Sequence, residues 1–256
     1  MSKAAQFKKT GYALEKGIFS IGEIETLENE FDQIVTQLKK SDENINARWG
    51  SDLTRHIEES DSEVIHTHNI QSYSSIMLNM VQNKTLLNLV EFLIGPDIIL
   101  HHTKLFCKPP KKGSAFPLHQ DWSYFPTQKN SMIAAVVHLS ESTENMGCFR
   151  VVPESHKLGK IKNSDGHSHV PEIHDYYSLE TALPIEAEKG DVLFFHCCTI
   201  HGSMPNTSDH SRKTILIQLY SGKDTILDEN QHTNVQLVLR GWNYQATRGS
   251  TGNIKS

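Results

Sequence analysis

Cysteine is scarce in this sequence: 256 residues hold four, at 107, 148, 197 and 198, with no C-x-x-C pair. That excludes a disulfide scaffold and leaves reduced thiols as the expectation, with Cys197 and Cys198 packing as small hydrophobes although His201 is close by. Long apolar runs are missing too. No stretch approaches the roughly 20 apolar residues of a membrane helix. Hydrophobic residues make up 37% of the chain and mean hydropathy is −0.44, so a soluble protein that spans no membrane is expected. Basic residues are in the minority, 25 Lys and Arg against 30 Asp and Glu for a net charge of −5. Nucleic acid, which is usually met by a basic stripe, is therefore not an expected partner. The first residues lack the apolar core of a secretory signal and the last carry no recognisable address, so cytoplasm is the expected compartment. There is no internal repeat.

What is present reads as helices first and strands after. Ser20 and Glu23 have the spacing of a capping box, and Ile21, Ile24, Leu27, Phe31, Ile34, Val35 and Leu38 then recur at helical period, which predicts an amphipathic helix over about 20–40. The polar stretch 41–63, which includes Arg48 and Trp49, has little periodicity and predicts a long loop able to cover a site. One or two further helices are expected over 71–94, stopped by Gly95 and Pro96. Apolar or alternating runs at 98–107, 132–139, 148–152, 191–197 and 213–221, separated by Gly, Pro, Asn and Asp, carry the pattern of a sandwich or barrel. A length of 256 residues suits one packed domain over 1–256, with 246–256 as a tail. The class is α+β, mainly β, with the N-terminal helices buttressing a jelly roll.

Chemistry concentrates at His119, Gln120 and Asp121. On an extended strand, residues i and i+2 share a side, so His119 and Asp121 can grip one metal ion while Gln120 faces away. A distant His201 would complete a two-histidine, one-carboxylate facial triad, the arrangement of non-haem Fe(II) oxygenases, which leaves the opposite coordination positions open. His201 is expected at the end of a strand and Arg212 at the start of the next. Two adjacent antiparallel strands would then bring ligand and guanidinium to one mouth. His101 and His102 are expected to point to opposite faces and so not to share a metal. Lys108, Lys111 and Lys112 read as a solvated loop, with a weak hint of a phosphate or carboxylate on the substrate.

Several segments in order resemble one family. They are FKKTGY (7–12), IGPD (94–97), KPP (108–110), PLHQDWSYFP (117–126), GC (147–148), PESHK (153–157), KGDVLFFH (189–196), IHGS (200–203) and the stretch 206–212 ending in Arg212. Together they resemble the phytanoyl-CoA dioxygenase (PhyH) family of iron- and 2-oxoglutarate-dependent oxygenases. The resemblance implies the double-stranded β-helix, a cupin-like jelly roll, with Fe(II) held by His119, Asp121 and His201, and with 2-oxoglutarate and O2 as co-substrates. Arg212, whose planar fork matches a carboxylate, would hold the distal carboxylate of 2-oxoglutarate with Ser203, and Lys104 aligns near the co-substrate. His156 and His196 lie in matched segments but are structural.

The expected function is hydroxylation of an aliphatic carbon of a small organic molecule, with release of succinate and CO2. Two other readings stay open: a cupin-like metal- or ligand-binding protein without turnover, and a non-oxidative metal-dependent hydrolase or isomerase. Trp122, Tyr124, Phe125, Arg240, Trp242 and Tyr244 are candidates for the substrate wall. None of the matched segments reads the prime substrate, and none chooses hydroxylation over desaturation, demethylation or epimerisation. Monomer and homodimer are equally open.

Overall fold

Alternation along three central strands explains the architecture. In β5 (Ile133–His138) the odd positions Ile133, Ala135 and Val137 enter one apolar cluster, whereas Ala134 and Val136 enter another. β8 (Val192–His196) and β10 (Arg212–Ser221) divide the same way. Period-2 side chains that are apolar on both sides require a sheet covered on both faces. The computed structural model, which describes residues 3–228, 230 and 232–252, supplies that cover from helices on one face and a second sheet on the other.

The helices are α1 (Lys3–Thr10), α2 (Ile21–Lys39), α3 (Ser75–Val81), α4 (Lys84–Ile94), α5 (Pro171–His174) and α6 (Arg248–Gly252). The remaining strands are β1 (Tyr12–Glu15), β2 (Ile65–His68), β3 (Ile98–Lys108), β4 (Phe116–His119), β6 (Phe149–Val151), β7 (Leu183–Ile185), β9 (His201–Ser203) and β11 (Leu237–Arg240). The larger sheet runs β1-β8-β5-β10-β3-β11, with β2 also on β3, and the smaller runs β4-β9-β6-β7; every named pairing is antiparallel. This is the jelly roll buttressed by N-terminal helices. No helix among the described residues is long and apolar enough to cross a membrane.

α2 begins where its capping box places it. The Ser20 hydroxyl accepts from the Glu23 amide while the Glu23 carboxylate accepts from the Ser20 amide, satisfying two orphan donors at once. Ile24, Leu27, Phe31, Ile34 and Leu38 are buried against the larger sheet, but Ile21 is exposed. The stretch 41–63 forms no named helix or strand, as its weak periodicity implies.

Two expectations need correction. His201 opens β9 instead of ending a strand, and β9 and β10 lie in different sheets, so His201 and Arg212 meet across the sandwich and not along one sheet. His101 and His102 do not point apart. Gln218 pairs with His102 and Leu219 with Leu100, so His101 is the extra residue of a bulge, and its Nδ1 lies 2.6 Å from Nδ1 of His102; an unpaired residue breaks the alternation. Within the stretch read as a tail, residues 248–252 form α6; residues 253–256 lie outside the described residues.

Candidate metal centre and its pocket

The smaller sheet positions two imidazoles. His119 ends β4 and His201 opens β9, and the two residues are register partners. Their strands approach closely at Gly202, where a Cβ would stand 2.6 Å from the Phe116 carbonyl, so glycine permits the contact. Asp121 is not on the strand itself. It opens a single 3-10 turn, 121–123, just beyond β4, which still returns its carboxylate to the side of His119. Asp121 Oδ1 lies 3.8 Å from His119 Nε2 and 3.6 Å from His201 Nε2, less than the roughly 4 Å spanned by two metal–ligand bonds of about 2.0–2.2 Å.

The surroundings settle which nitrogens are available. His119 Nδ1 lies 2.8 Å from the Pro117 carbonyl and His201 Nδ1 3.0 Å from the Thr199 carbonyl. A carbonyl only accepts, so each Nδ1 carries hydrogen and each Nε2 presents a lone pair to the centre. Burial and the facing His201 hold the His119 pKa well below the ordinary histidine value, the direction that favours the ligating neutral form. Asp121 Oδ2 accepts from Gln218 Nε2 on β10, leaving Oδ1 for a metal. This arrangement fits a divalent ion with nitrogen and oxygen ligands, and the outer-shell bonds orient all three donors.

Gln120 faces away and ties loops together. Its amide donates to the carbonyls of Gly159 and Cys198 at 2.9 and 2.8 Å and accepts from the Ile161 amide at 2.9 Å. Cys197 and Cys198 are buried in an apolar cluster. With His196 they form a second group whose ligand atoms lie within 4.8 Å of one another, but His196 Nδ1 already accepts from the Cys198 amide at 3.1 Å. His156 Nε2 bonds the Lys8 carbonyl at 3.1 Å.

The triad opens into a cavity of about 200 Å³ whose walls also include Arg212, Ser203, Lys104, Tyr124, Phe125 and Trp49. Trp49 comes from the long polar loop. Its ring centroid lies 4.6 Å from that of His119, and its Nε1 donates to His167 Nε2 at 2.7 Å. At one end Arg212 is fully buried, stands 5.0 Å from the Phe149 ring and donates from Nη1 to the Gly147 carbonyl. Gly147 has φ of +67°, and a Cβ there would strike the Met204 carbonyl, so only glycine brings that carbonyl to the guanidinium without strain. Arg212 Nε has no partner, and burial pushes the arginine pKa down to about 10.

Lys108 is the register partner of Arg212 and is fully buried, not solvated. Its Nζ donates to Ser203 Oγ at 2.7 Å and to the Met204 carbonyl at 2.6 Å, and burial together with Arg212 drives its pKa well below the ordinary lysine value. Lys111 and Lys112 do lie at the surface, paired with Asp209 and Asp61. Glu58 reaches Lys108 by charge but forms no ion pair with it, and two adjacent buried basic groups without a directly paired acid among the described residues favour an anion beside them.

Some expected wall residues are elsewhere. The Trp122 indole turns back to the Thr127 carbonyl at 3.3 Å and carries Lys160 over its ring. Arg240 reaches α4, bonding Glu91 at 2.6 Å and Asn88 at 3.0 Å, and Trp242 and Tyr244 are exposed. β11 pairs only with residues 98–100 of β3, beyond the bulge and away from the triad. Conversely, Gln218 and the imidazoles of His66, His68 and His232 around the cavity carried no sequence signal beyond residue type, whereas Trp49 belongs to the loop expected to cover a site and Lys108 to the lysine group that hinted weakly at an anion.

The model of the phytanoyl-CoA dioxygenase (PhyH) family matches residues 7–214. The bovine peroxisomal phytanoyl-CoA dioxygenase is 30% identical over 230 residues; the match covers 82% of this chain and 65% of the bovine protein, so the chain spans just under two thirds of that relative. Ectoine dioxygenase of Sphingopyxis alaskensis is 24% identical over 231 residues, covering 82% of this chain and 72% of that protein. Among solved structures, the epimerase SnoN in complex with Fe3+, alpha ketoglutarate and nogalamycin RO superposes with a TM-score of 0.74 at 19% identity, over 93% of this chain and 97% of that one. The fold is thus shared at low identity, while the family model covers most of the sequence: this chain belongs to the phytanoyl-CoA dioxygenase (PhyH) family.

Proposed function

We propose that this chain is an Fe(II)- and 2-oxoglutarate-dependent dioxygenase that hydroxylates an aliphatic carbon of a small organic molecule. The observation that carries this reading is one cavity with three oriented metal ligands at its wall and Arg212 at one end, with Lys108 as the register partner of Arg212. Iron with 2-oxoglutarate supplies the oxidising power: O2 is consumed, 2-oxoglutarate leaves as succinate and CO2, and one oxygen atom enters a C–H bond.

The chain's residues bind, orient and exclude water. His119, Asp121 and His201 hold the ion from one side and leave the other coordination positions open. Arg212 takes the distal carboxylate with its fork, and Ser203 adds a hydroxyl whose position Lys108 holds. Trp49, Tyr124 and Phe125 shield the metal face from bulk water. Membership of the family and the resemblance to ectoine dioxygenase support hydroxylation.

Purified protein with Fe(II), 2-oxoglutarate and a substrate panel should release succinate only in the presence of O2, and heavy-isotope O2 should label the product. Turnover without O2 or 2-oxoglutarate would replace this reading with a hydrolase or isomerase. A labelled succinate with an isomerised, unlabelled product would keep the dioxygenase chemistry but discard hydroxylation.

A further inference from the structure

We propose that the Lys104 end of the cavity binds an oxyanion carried by the prime substrate, a carboxylate or a phosphonate, so that the substrate is a small organic acid. This subsite takes its place beside the reacting centre from the dioxygenase reading; its chemistry comes from separate geometry. Along β3 and β10, Lys108 is register partner to Arg212 and Lys104 to Leu216. Four residues of strand separate the two levels by about 13 Å, so the carboxylate that Arg212 grips does not also reach Lys104.

Lys104 has no hydrogen-bond acceptor and no paired acid among the described residues. Its Nζ instead sits 4.9 Å from the centre of the Phe125 ring. Asp121 is the acid whose charge reaches it, yet that carboxylate is committed to the metal face and to Gln218. Imidazoles surround the ammonium group: the His232 ring centroid lies 4.7 Å from that of His68 and 5.7 Å from that of His102. Burial, together with Lys104, lowers the His68 pKa to about 4 and the His232 pKa to about 3, so at neutral pH these rings offer N–H groups without charge. His68 Nε2 and His102 Nε2 are buried and have no partner. A half-buried ammonium beside idle imidazole nitrogens, which present N–H in one tautomer, is half of an anion site.

Charge balance points the same way. Lys104 and Arg212 line the cavity against Asp121 as its acid among the described residues, while the charge of Lys108, outside that lining, is met in part by Glu58. A divalent cation and a dianionic co-substrate cancel each other on binding, so the cationic excess remains for the third molecule to answer. A neutral or cationic substrate would leave a half-buried ammonium unpaired in the cavity wall.

Metal-free wild type and Lys104→Met are titrated calorimetrically with butyrate and with propylphosphonate, each beside its neutral methyl ester. At least one acid should bind wild type and its ester should not, and Lys104→Met should weaken the acid by about ten- to over a hundredfold; which acid binds identifies the anion. Lys104→Arg, which keeps the charge, should retain part of the binding. Because Lys104→Met removes an unpaired, half-buried charge, its Tm should equal or exceed wild type.

The same proteins with Fe(II) and 2-oxoglutarate, without O2, report co-substrate affinity through their charge-transfer absorption, which Lys104→Met should leave unchanged. Loss of 2-oxoglutarate affinity in that variant would assign Lys104 to the co-substrate and overturn the subsite. So would esters binding as tightly as acids, or neither acid binding. Acid binding that persists when wild type shows no charge-transfer band would support the subsite and sink the dioxygenase reading alone.

Discussion

The two sheets divide the labour unequally. The smaller sheet is made of strands only three or four residues long and delivers His119 and His201. The larger sheet has strands of up to 11 residues, carries the apolar core on its helix-covered face, and sends Arg212, Lys108, Lys104 and Gln218 inward from its other face. The metal is thus held by short elements whose shape depends on turns and glycine contacts, whereas anions are met by side chains on a rigid, extended scaffold. Charged groups that must stay put while unpaired need a backbone that does not yield, and a long doubly covered sheet provides one.

The largest contrast should come from the ligands. His119→Ala, Asp121→Ala and His201→Ala should each abolish tight iron binding and turnover, because three ligands are the fewest that hold this open site. Iron content after dialysis and succinate release measure both; near-wild-type values in any of the three would remove that residue from the centre. On the larger sheet, Arg212→Leu should instead raise the apparent KM for 2-oxoglutarate by about ten- to over a hundredfold, since hydrogen bonds to a charged group are worth roughly 1.5–3 kcal/mol. Iron affinity should hardly change. Arg212→Lys should recover only part of the loss, because it restores charge but not the fork.

Acid should separate the sheets more gently. His66, His101 and His138 all belong to the larger sheet, His66 half-buried and the other two buried; burial lowers their pKa values from 6.5 to about 3, 4 and 4. Below pH 6.5 the unfolded chain takes up protons that the folded chain refuses, so stability is full above that pH and falls as pH drops toward 4. Each such histidine costs up to about 1.4 kcal/mol per pH unit across that window. Denaturant melts of metal-free protein at pH 7, 6 and 5 would show it; a flat profile would mean that these rings are already protonated in the fold. The smallest effect is expected at the margin: Arg240→Ala and Trp242→Ala should leave turnover unchanged and shift stability by no more than about 1 kcal/mol, the usual range for exposed pairs and surface changes. A clear rise in substrate KM for either would return that residue to the cavity wall.

The helix that starts at Ser20, the five apolar strand runs and the His119/Asp121 pair with distant His201 and Arg212 were legible because each rests on spacing within one segment or on an ordered series of segments. Gln218, Lys108 and the histidine cluster were not. Gln218 becomes a partner of Asp121 only because β10 crosses the sandwich there, and Lys108, between Cys107 and two prolines, reads like the surface lysines that follow it. The short strands β4 and β9 had no apolar pattern of their own, and their bounds were not legible although extended chain was expected at His119 and beside His201, since histidine, glycine and serine carry little β signal. The mistaken view of His101 and His102 has a definite cause: alternation assumes an unbroken strand, and the bulge breaks it.

By itself, the sequence determined which chemical groups this protein brings to bear and which faces of its helices and long strands are apolar, because periodicity and residue type act locally. Tertiary structure alone decided which of the many polar groups share a cavity. That depends on register between strands far apart in the chain, on one bulge, and on burial, which turns Lys108 and Arg212 into desolvated basic groups and leaves Lys104 half-buried in the cavity wall.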